Sequence, residues 1–487
     1  MTTLKPYPAY RESGAVWLGN IPIHWEVRRL KSLAQIMTSG AWGSDIESEM
    51  LDQCLVATTA QMRDDGTLNH HKLNKRFLTI DEQRRSRLES GDILVSKSSG
   101  SIDNVITGKS VIVESEDNRV FFSNFLLALR PFQETVLPKY LSYTHRSQLS
   151  LSTIRSMTAT TTYPNLRLSE YSSHQLPLPP LDEQRAIARF LDAMDARITH
   201  FIAARKKMIL LLEEKKQAVI NQAVTKGLGP TAPMKDSDVD WLGEIPAHWD
   251  YAAVGRYWKV ADCKHVTVPF VSPDTDTVPL ASVVQAQSFD LDLAGARHTT
   301  KEWYRFLIEG GRKPQNGDLI FCRNVSVGST AYVGANVQFA MGQDVCLLSS
   351  SSRDSRFLNY CLAGGPLRRS IDMLLVGSTF HRINVAEIRT LKLPLPPDRR
   401  EQRSITAFLD REVSRFDSIT ERSRREIELM QEYRTRLISD VVTGKLDVRG
   451  VNLGGLPDFD KIPEPDDADD RAADNDGVLI GDIGEHT

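Results

Sequence analysis

The chain has 487 residues, 41% of them hydrophobic and 25% charged, with a formal net charge of −3. That length implies two or more domains with full cores, and the composition excludes a fibrous or wholly disordered chain. No run of 18 apolar residues occurs, so no membrane-spanning helix is expected.

The N-terminal stretch MTTLKPYPAY lacks the charged-then-apolar pattern of a secretory signal. The cysteines, Cys54, Cys263, Cys322, Cys346 and Cys361, are scattered and form no C-x-x-C pair. This argues against a zinc site or a disulfide framework and for a reducing, cytoplasmic compartment.

The first distinctive segment is WLGNIPIHW, Trp17–Trp25. Next comes GDILVSKSSG, Gly91–Gly100, a short apolar run that predicts a strand. NVITGKS, Asn104–Ser110, resembles half a P-loop, but Asp103 stands where the first glycine is required. Without it the phosphate-cradling backbone is missing, and the segment reads as a turn entering a strand. KSVIVE and FLLALRP follow as strand-like runs, then a helix candidate near Pro138–Arg155, and TTTYPNLRLSEY closes the unit.

At Leu176 begins LPLPPLDEQRAIARFLD, the entry to a segment free of Pro and Gly from Asp182 to Lys226. Apolar residues recur there at steps of three and four, through Ile187, Phe190, Leu191, Met194, Ile198, Ile202, Ile209, Leu212, Val219 and Ala223. That is the seam of one long amphipathic helix, which Gly227 should stop.

The order then repeats. WLGEIPAHW, Trp241–Trp249, copies the first motif. GDLIFCRNVS, Gly317–Ser326, stands where GDILVSKSSG stood, followed by TAYVGA, DVCLLS, a helix candidate near Asp354–Leu375 and GSTFHRINVAEI. LPLPPDRREQRSITAFLD, Leu393–Asp410, repeats the proline-to-helix entry with one residue inserted. A second long seam follows from Arg399 to Thr443, through Ile405, Leu409, Val413, Phe416, Ile419, Ile427, Met430, Leu437 and Val441, with Gly444 as its stop. Each helix should extend roughly 65–70 Å and needs a partner helix. Connectivity predicts an antiparallel pair, since one helix leaves the first unit and the other leaves the second. Periodicity alone also fits a generic coiled-coil spacer. From Pro457 the chain is acidic and poor in aromatics, which predicts a disordered tail of about nine net negative charges and leaves the rest mildly basic, about +6.

No catalytic constellation emerges. There is no Asn/Asp-Pro-Pro-aromatic motif to hold a flipped base and no Gly-rich loop for an adenosyl cofactor. PDFDK, Pro457–Lys461, lacks separated carboxylates for a nuclease metal. His70, His71, His265, His298 and His381 show no metal-ligand spacing.

The doubled framework of WLG-x-IP-x-HW, the GDI/GDL strand, Pro-Leu-Pro-Pro with Glu-Gln-Arg and Phe-Leu-Asp, and the long helix resembles the specificity subunit of type I restriction-modification enzymes. The resemblance covers the chain to about Gly450; the inserted residue in PPDRREQR and the acidic tail depart from it. It implies an α+β fold with a pseudo-two-fold internal repeat, in which two target-recognition domains of mixed α/β structure are separated by two long antiparallel coiled-coil helices. The expected divisions are residues 1–175 and 231–392 for the recognition domains, 176–230 and 393–450 for the helices, and 451–487 for the tail. It implies double-stranded DNA as ligand, with each domain reading half of a bipartite site. It also implies two modification (methyltransferase) subunits and restriction (motor-nuclease) subunits as partners, with no membrane. The chain itself is then non-catalytic and binds no cofactor, S-adenosylmethionine, ATP and Mg being expected on the partners. The rival readings are a coiled-coil adaptor without DNA binding and a DNA-modifying enzyme whose active site escapes recognition.

Base edges are read by Arg, Lys, Asn, Gln, Ser or Thr, and phosphates by Lys and Arg. Loops after the scaffold strands supply such residues. In the first unit these are Arg63, Lys97, Ser98, Tyr163, Asn165 and Arg167; in the second, Arg323, Asn324, Thr379, His381 and Arg382. A border kept twice suits two identical partners. Glu183, Gln184, Arg185, Phe190 and Leu191, with their copies Glu401, Gln402, Arg403, Phe408 and Leu409, are therefore the expected subunit-interface residues. Polar groups at a helix N-terminus also have a purely local use.

Overall fold

The computed structural model describes residues 4–46, 51–99, 105–114, 119–159, 164–229, 231–240, 242–375 and 382–452. The acidic segment, Tyr163, Thr379 and His381 lie outside them. The chain forms two units: residues 1–205 with 425–487, and residues 206–424. Both long helices are present, as Leu181–Lys226 and Arg399–Val442. Each is shared between the units, with residues 181–205 and 425–442 in the first and 206–226 and 399–424 in the second.

The first unit is built on an antiparallel four-stranded sheet in the order Ala34–Met37, Leu126–Pro131, Ile93–Ser96, Ser110–Ile112. The Ile93–Ser96 strand is the predicted one, and all four of its residues are buried. Ile93, Val95, Leu127 and Leu129 enter one core, while Leu94, Val111, Leu126 and Ala128 enter another on the opposite face. A sheet covered on both sides needs continuous apolar strands, which explains a run such as ILV. A second sheet pairs Asp52–Ala57 antiparallel with Asn74–Leu78 and parallel with Val120–Phe122. Two helices, Pro138–Arg146 and Gln148–Ser156, fall in the predicted Pro138–Arg155 segment.

The second unit repeats this plan. Its main sheet runs Lys259–Asp262, Val345–Ser349, Leu319–Cys322, Thr330–Tyr332, Phe289–Asp290. Its smaller sheet pairs Thr277–Ala281 antiparallel with His298–Thr300 and parallel with Ala340–Met341. Leu319 and Phe321 face one core, Ile320 and Cys322 the other. Helices Ser355–Ala363 and Gly365–Leu375 occupy the predicted helical segment. All five cysteines are free and buried. No helix of the described residues is long and apolar enough to cross a membrane.

Within each unit the start of one long helix meets the end of the other. Ile187, Phe190 and Leu191 share the first unit's core with Leu437, Val441 and Val442. Ile405 and Leu409 share the second unit's core with Ile220, Ala223 and Val224. Contacts of this kind require opposite helix directions, as connectivity predicted. Fully burying such a side chain contributes about 1.5–3 kcal/mol. Toward the helix middles the seam is only half-buried: Ile202, Ile209, Leu212, Ile419 and Ile427 are intermediate, while the small polar residues Thr420 and Ser423 are buried. The predicted glycine stops hold, with φ of 72° at Gly227 and 76° at Gly444.

Candidate nucleic-acid interface

The doubled border motif builds one junction in each unit. Glu183 is 5% exposed; its carboxylate accepts from Trp25 Nε1 at 3.0 Å and from the Tyr7 hydroxyl, and lies 2.8 Å from His24 Nε2. Its copy Glu401 accepts from Trp249 Nε1 at 2.9 Å and lies 3.0 Å from His248 Nε2. Trp25 packs beside Gly444, and Trp249 beside Gly227. The two Trp motifs thus tie the beginning of one helix to the end of the other.

Gln184 and Gln402 are both fully buried. Gln184 accepts from the Leu137 amide at 2.8 Å and donates to the Thr135 and Pro179 carbonyls at 3.1 and 2.9 Å. Gln402 accepts from the Asp354 amide at 2.8 Å and donates to the Pro396 carbonyl at 2.7 Å. Each glutamine therefore ties a helix entry to the segment that opens the unit's own helical pair. The inserted residue in the second copy leaves Asp398 as the cap, its carboxylate accepting from the Arg400 amide at 2.8 Å. Leu191 and Leu409 are core residues, Phe190 is buried and Phe408 is half-buried.

The expected interface residues Glu183, Gln184, Phe190, Leu191, Gln402 and Leu409 thus have their side chains in internal packing, because a helix entry wedged into its own unit has its polar groups satisfied locally. Of the Glu-Gln-Arg triplets, the exposed members are Arg185, paired with Asp182 at 2.5 Å, and Arg403. Sequence reasoning missed the aspartates that close the same motif. Asp192 accepts from Tyr143 at 2.8 Å and from Lys139 at 3.0 Å. Asp410 accepts from Tyr360 at 2.7 Å and Arg356 at 2.8 Å. The signal was present, since Phe-Leu-Asp recurs with its aspartate.

The candidate DNA-contacting residues converge at one strand end per unit. In the first, Ser98 pairs with Asn165 in an antiparallel bridge, and the Leu166 amide donates to the Lys97 carbonyl at 2.8 Å. Asn165 and Arg167 are exposed, and Arg167 pairs with Glu170 at 3.1 Å. In the second, Asn324 pairs with Arg382 in the same kind of bridge, and the Ile383 amide donates to the Arg323 carbonyl at 3.0 Å. Arg382 is exposed. Arg63 lies on a different loop, half-buried in a cleft.

Two cations at these strand ends turn inward. Lys97 Nζ donates to the Thr38 carbonyl at 3.3 Å, and burial lowers its pKa. Arg323 is 4% exposed, donates to the Ile383 carbonyl at 3.2 Å and pairs with Asp262. Burial pushes the Asp262 carboxyl up, but Arg323 and His265 hold it below the usual carboxylate range. Arg323 is therefore a structural cation and not a free base-reading one: a buried guanidinium must keep its partner. The potential ligand atoms of Asp262, Cys263 and His265, neighbours in sequence, lie within 4.8 Å of one another. The guanidinium on Asp262 opposes a cation there.

The chain matches the family model of the type I restriction modification DNA specificity domain over residues 22–210 and 290–429. It is similar to the type I restriction enzyme MjaVIII specificity subunit of Methanocaldococcus jannaschii, 21% identical over 89% of this chain and 95% of that one. It is also similar to the StySPI specificity subunit of Salmonella potsdam, 23% identical over 74% and 76%. A solved structure described as the structural basis of complex assembly and conformational transition of the type I R-M system shares the fold. Its TM-score is 0.65 at 17% identity, over 88% of this chain and 99% of that one.

Proposed function

The chain belongs to the type I restriction modification DNA specificity family, and from that premise we propose that it selects a bipartite DNA site, one half read by each unit. The observation that supports this most is the contrast between frame and strand end. The Glu–Trp–His junction is nearly identical in the two units. The residues bridged at the strand ends differ: Ser98 with Asn165 in one, Asn324 with Arg382 in the other. One scaffold presenting two side-chain sets suits two different half-sites, much as protein symmetry mirrors half-site spacing elsewhere.

On this reading the chain is non-catalytic. Two methyltransferase subunits dock on the repeated frame, motor-nuclease subunits join through them, and S-adenosylmethionine, ATP and Mg belong to those partners. The continuous helices set the distance between half-sites. The test is DNA binding and methylation by the purified chain with and without its methyltransferase partner. The chain alone should neither cleave nor methylate DNA, and the assembly should methylate one bipartite sequence. Methylation by rigorously pure chain would overturn the reading in favour of an enzyme. An assembly with no sequence preference would favour the adaptor.

A further inference from the structure

Beside the strand end of the first unit lies a cleft of about 520 Å³. It is walled by the loop at Arg63, the Val105–Ser110 segment, the Gln148–Ser156 helix and the last turns of the second long helix. Five cations line it: Arg63, Lys109, Arg146, Arg155 and Arg434, with Asp64 as the acidic member.

These cations fall into two groups. Arg146 and Arg434 are fixed, converging on Asp195 at 3.8 and 3.0 Å. Arg146 also stacks on Tyr143 at 4.7 Å, and Arg434 donates to the Thr199 hydroxyl. Gly66, at φ 89°, leaves room for the Arg146 guanidinium where any Cβ would collide with it. The other three are peripheral. Lys109 reaches the exposed Asp64 at 2.6 Å, while Arg63 and Arg155 have no carboxylate partner among the described residues. Asp64 and Asp195 together leave a surplus of positive charge in a concave site, an arrangement that concentrates anions.

The scaffold does not demand this charge. In the second unit Gly328 packs on Ile371 as Gly108 packs on Ile154. The residues that follow these two are Ser329 and Asp372 in place of Lys109 and Arg155. The cleft is also wired to the strand end. Ser99 Oγ accepts from the Ile106 and Thr107 amides at 2.9 and 2.8 Å, and the Thr107 hydroxyl donates to the Pro164 carbonyl at 3.2 Å, next to Asn165.

We propose that this cleft is a subsite for the phosphodiester backbone of duplex DNA, contacted by Arg63, Lys109 and Arg155 over a fixed positive floor of Arg146 and Arg434. The proposal rests on the DNA-recognition reading and deepens it: the first unit carries a sequence-independent clamp, and the second long helix contributes to it. Contacts to phosphate fix the register of a duplex without carrying sequence information.

The test uses the full chain assembled with its methyltransferase subunits. Affinity for a target duplex and for a scrambled duplex is measured across ionic strength. Arg63→Ala with Arg155→Ala should weaken both duplexes together, keep their ratio, and reduce the slope of log K against log salt by about 0.9 per lost contact. Lysine at both positions should retain the slope. Should the double variant fail to assemble, Arg155→Ala alone tests the same point, because this exposed side chain supports no described ion pair; the slope should then fall by about one. An unchanged slope in an assembly that still selects its target would overturn the clamp and leave the recognition reading intact. A changed ratio would place these residues at base edges instead. A rise in affinity would overturn the proposal. Failure of the unaltered assembly to prefer any duplex would strike at the recognition reading, a separate result.

Discussion

Gln184 and Gln402 illustrate how a repeated polar residue can be internal. Each is fully buried with its amide engaged by backbone groups on both sides. Removing either leaves a buried amide and carbonyls unsatisfied, at about 1–3 kcal/mol for each stranded group. Gln184→Ala and Gln402→Ala should therefore destabilise their own unit by about 2–4 kcal/mol, read from denaturant unfolding. Arg185→Ala, at an exposed side chain, should stay within about 0.5 kcal/mol. The opposite ranking would mean that the motif's structural weight lies on its surface.

His145 is fully buried between the Ser110 and Tyr171 hydroxyls, and burial, with a contribution from His174, lowers its pKa to about 3. Burial lowers His174 to about 4. Both bind a proton more weakly folded than unfolded, where the pKa is about 6.5. The stability they confer is thus complete above about pH 6.5 and falls as pH drops from there toward 4. At pH 5 the loss should be about 2 kcal/mol for each histidine. Unfolding of the first unit at pH 7.5 and 5.0 checks this, and His174→Asn should flatten the dependence. An equally steep profile in that variant would assign the effect to other groups.

At the scale of elements, the long helices, their antiparallel pairing within each unit and both glycine stops were legible from sequence, because period, Pro/Gly exclusion and termination are local signals. The half-buried middle of the seam was not legible. Apolar spacing reports which face turns inward, but the depth of burial depends on what else covers it, and the buried Thr420 and Ser423 lie outside the apolar seam read from the sequence. The inward turn of Arg323 was hidden for a related reason. Its partner Asp262 lies 61 residues away, and they meet only through the register of three strands.

Gly444 has a left-handed φ, and a Cβ there would press into Pro22 and the Trp25 ring. Gly243, at φ 65°, has open space around it. Gly243→Ala should cost about 1 kcal/mol for backbone strain alone. Gly444→Ala should cost about 2–4 kcal/mol, since steric displacement of a packed junction adds to the strain. Thermal unfolding of the two variants separates these contributions. Equal effects would show that the junction yields easily at Pro22.

At the scale of the whole molecule, the repeat of borders announced two units on one plan, while identity between the borders is too low to reveal that four strands of each main sheet correspond and that the second unit adds Phe289–Asp290 as a fifth. Topology survives there because each unit needs only continuous apolar strands with buried faces, a requirement many sequences meet. The same tolerance leaves the strand-end loops free to differ, so their chemistry follows from no scaffold rule. Candidate residues were legible as a neighbourhood: Ser98 with Asn165 and Asn324 with Arg382 do come together. Which of their neighbours face outward required the structure.

On the proposed reading, the two units recognise their half-sites independently. Replacing residues 1–175 with the same unit of another family member keeps the Tyr7, His24 and Trp25 junction provided those residues match. The hybrid, assembled with its methyltransferase partner, is then used to methylate a genome, and the methylated positions are mapped. One half of the bipartite site should change to that of the donor, with the other half and the spacer between them preserved. A hybrid that changes both halves together, or retains the original site in full, would contradict independent reading by the two units.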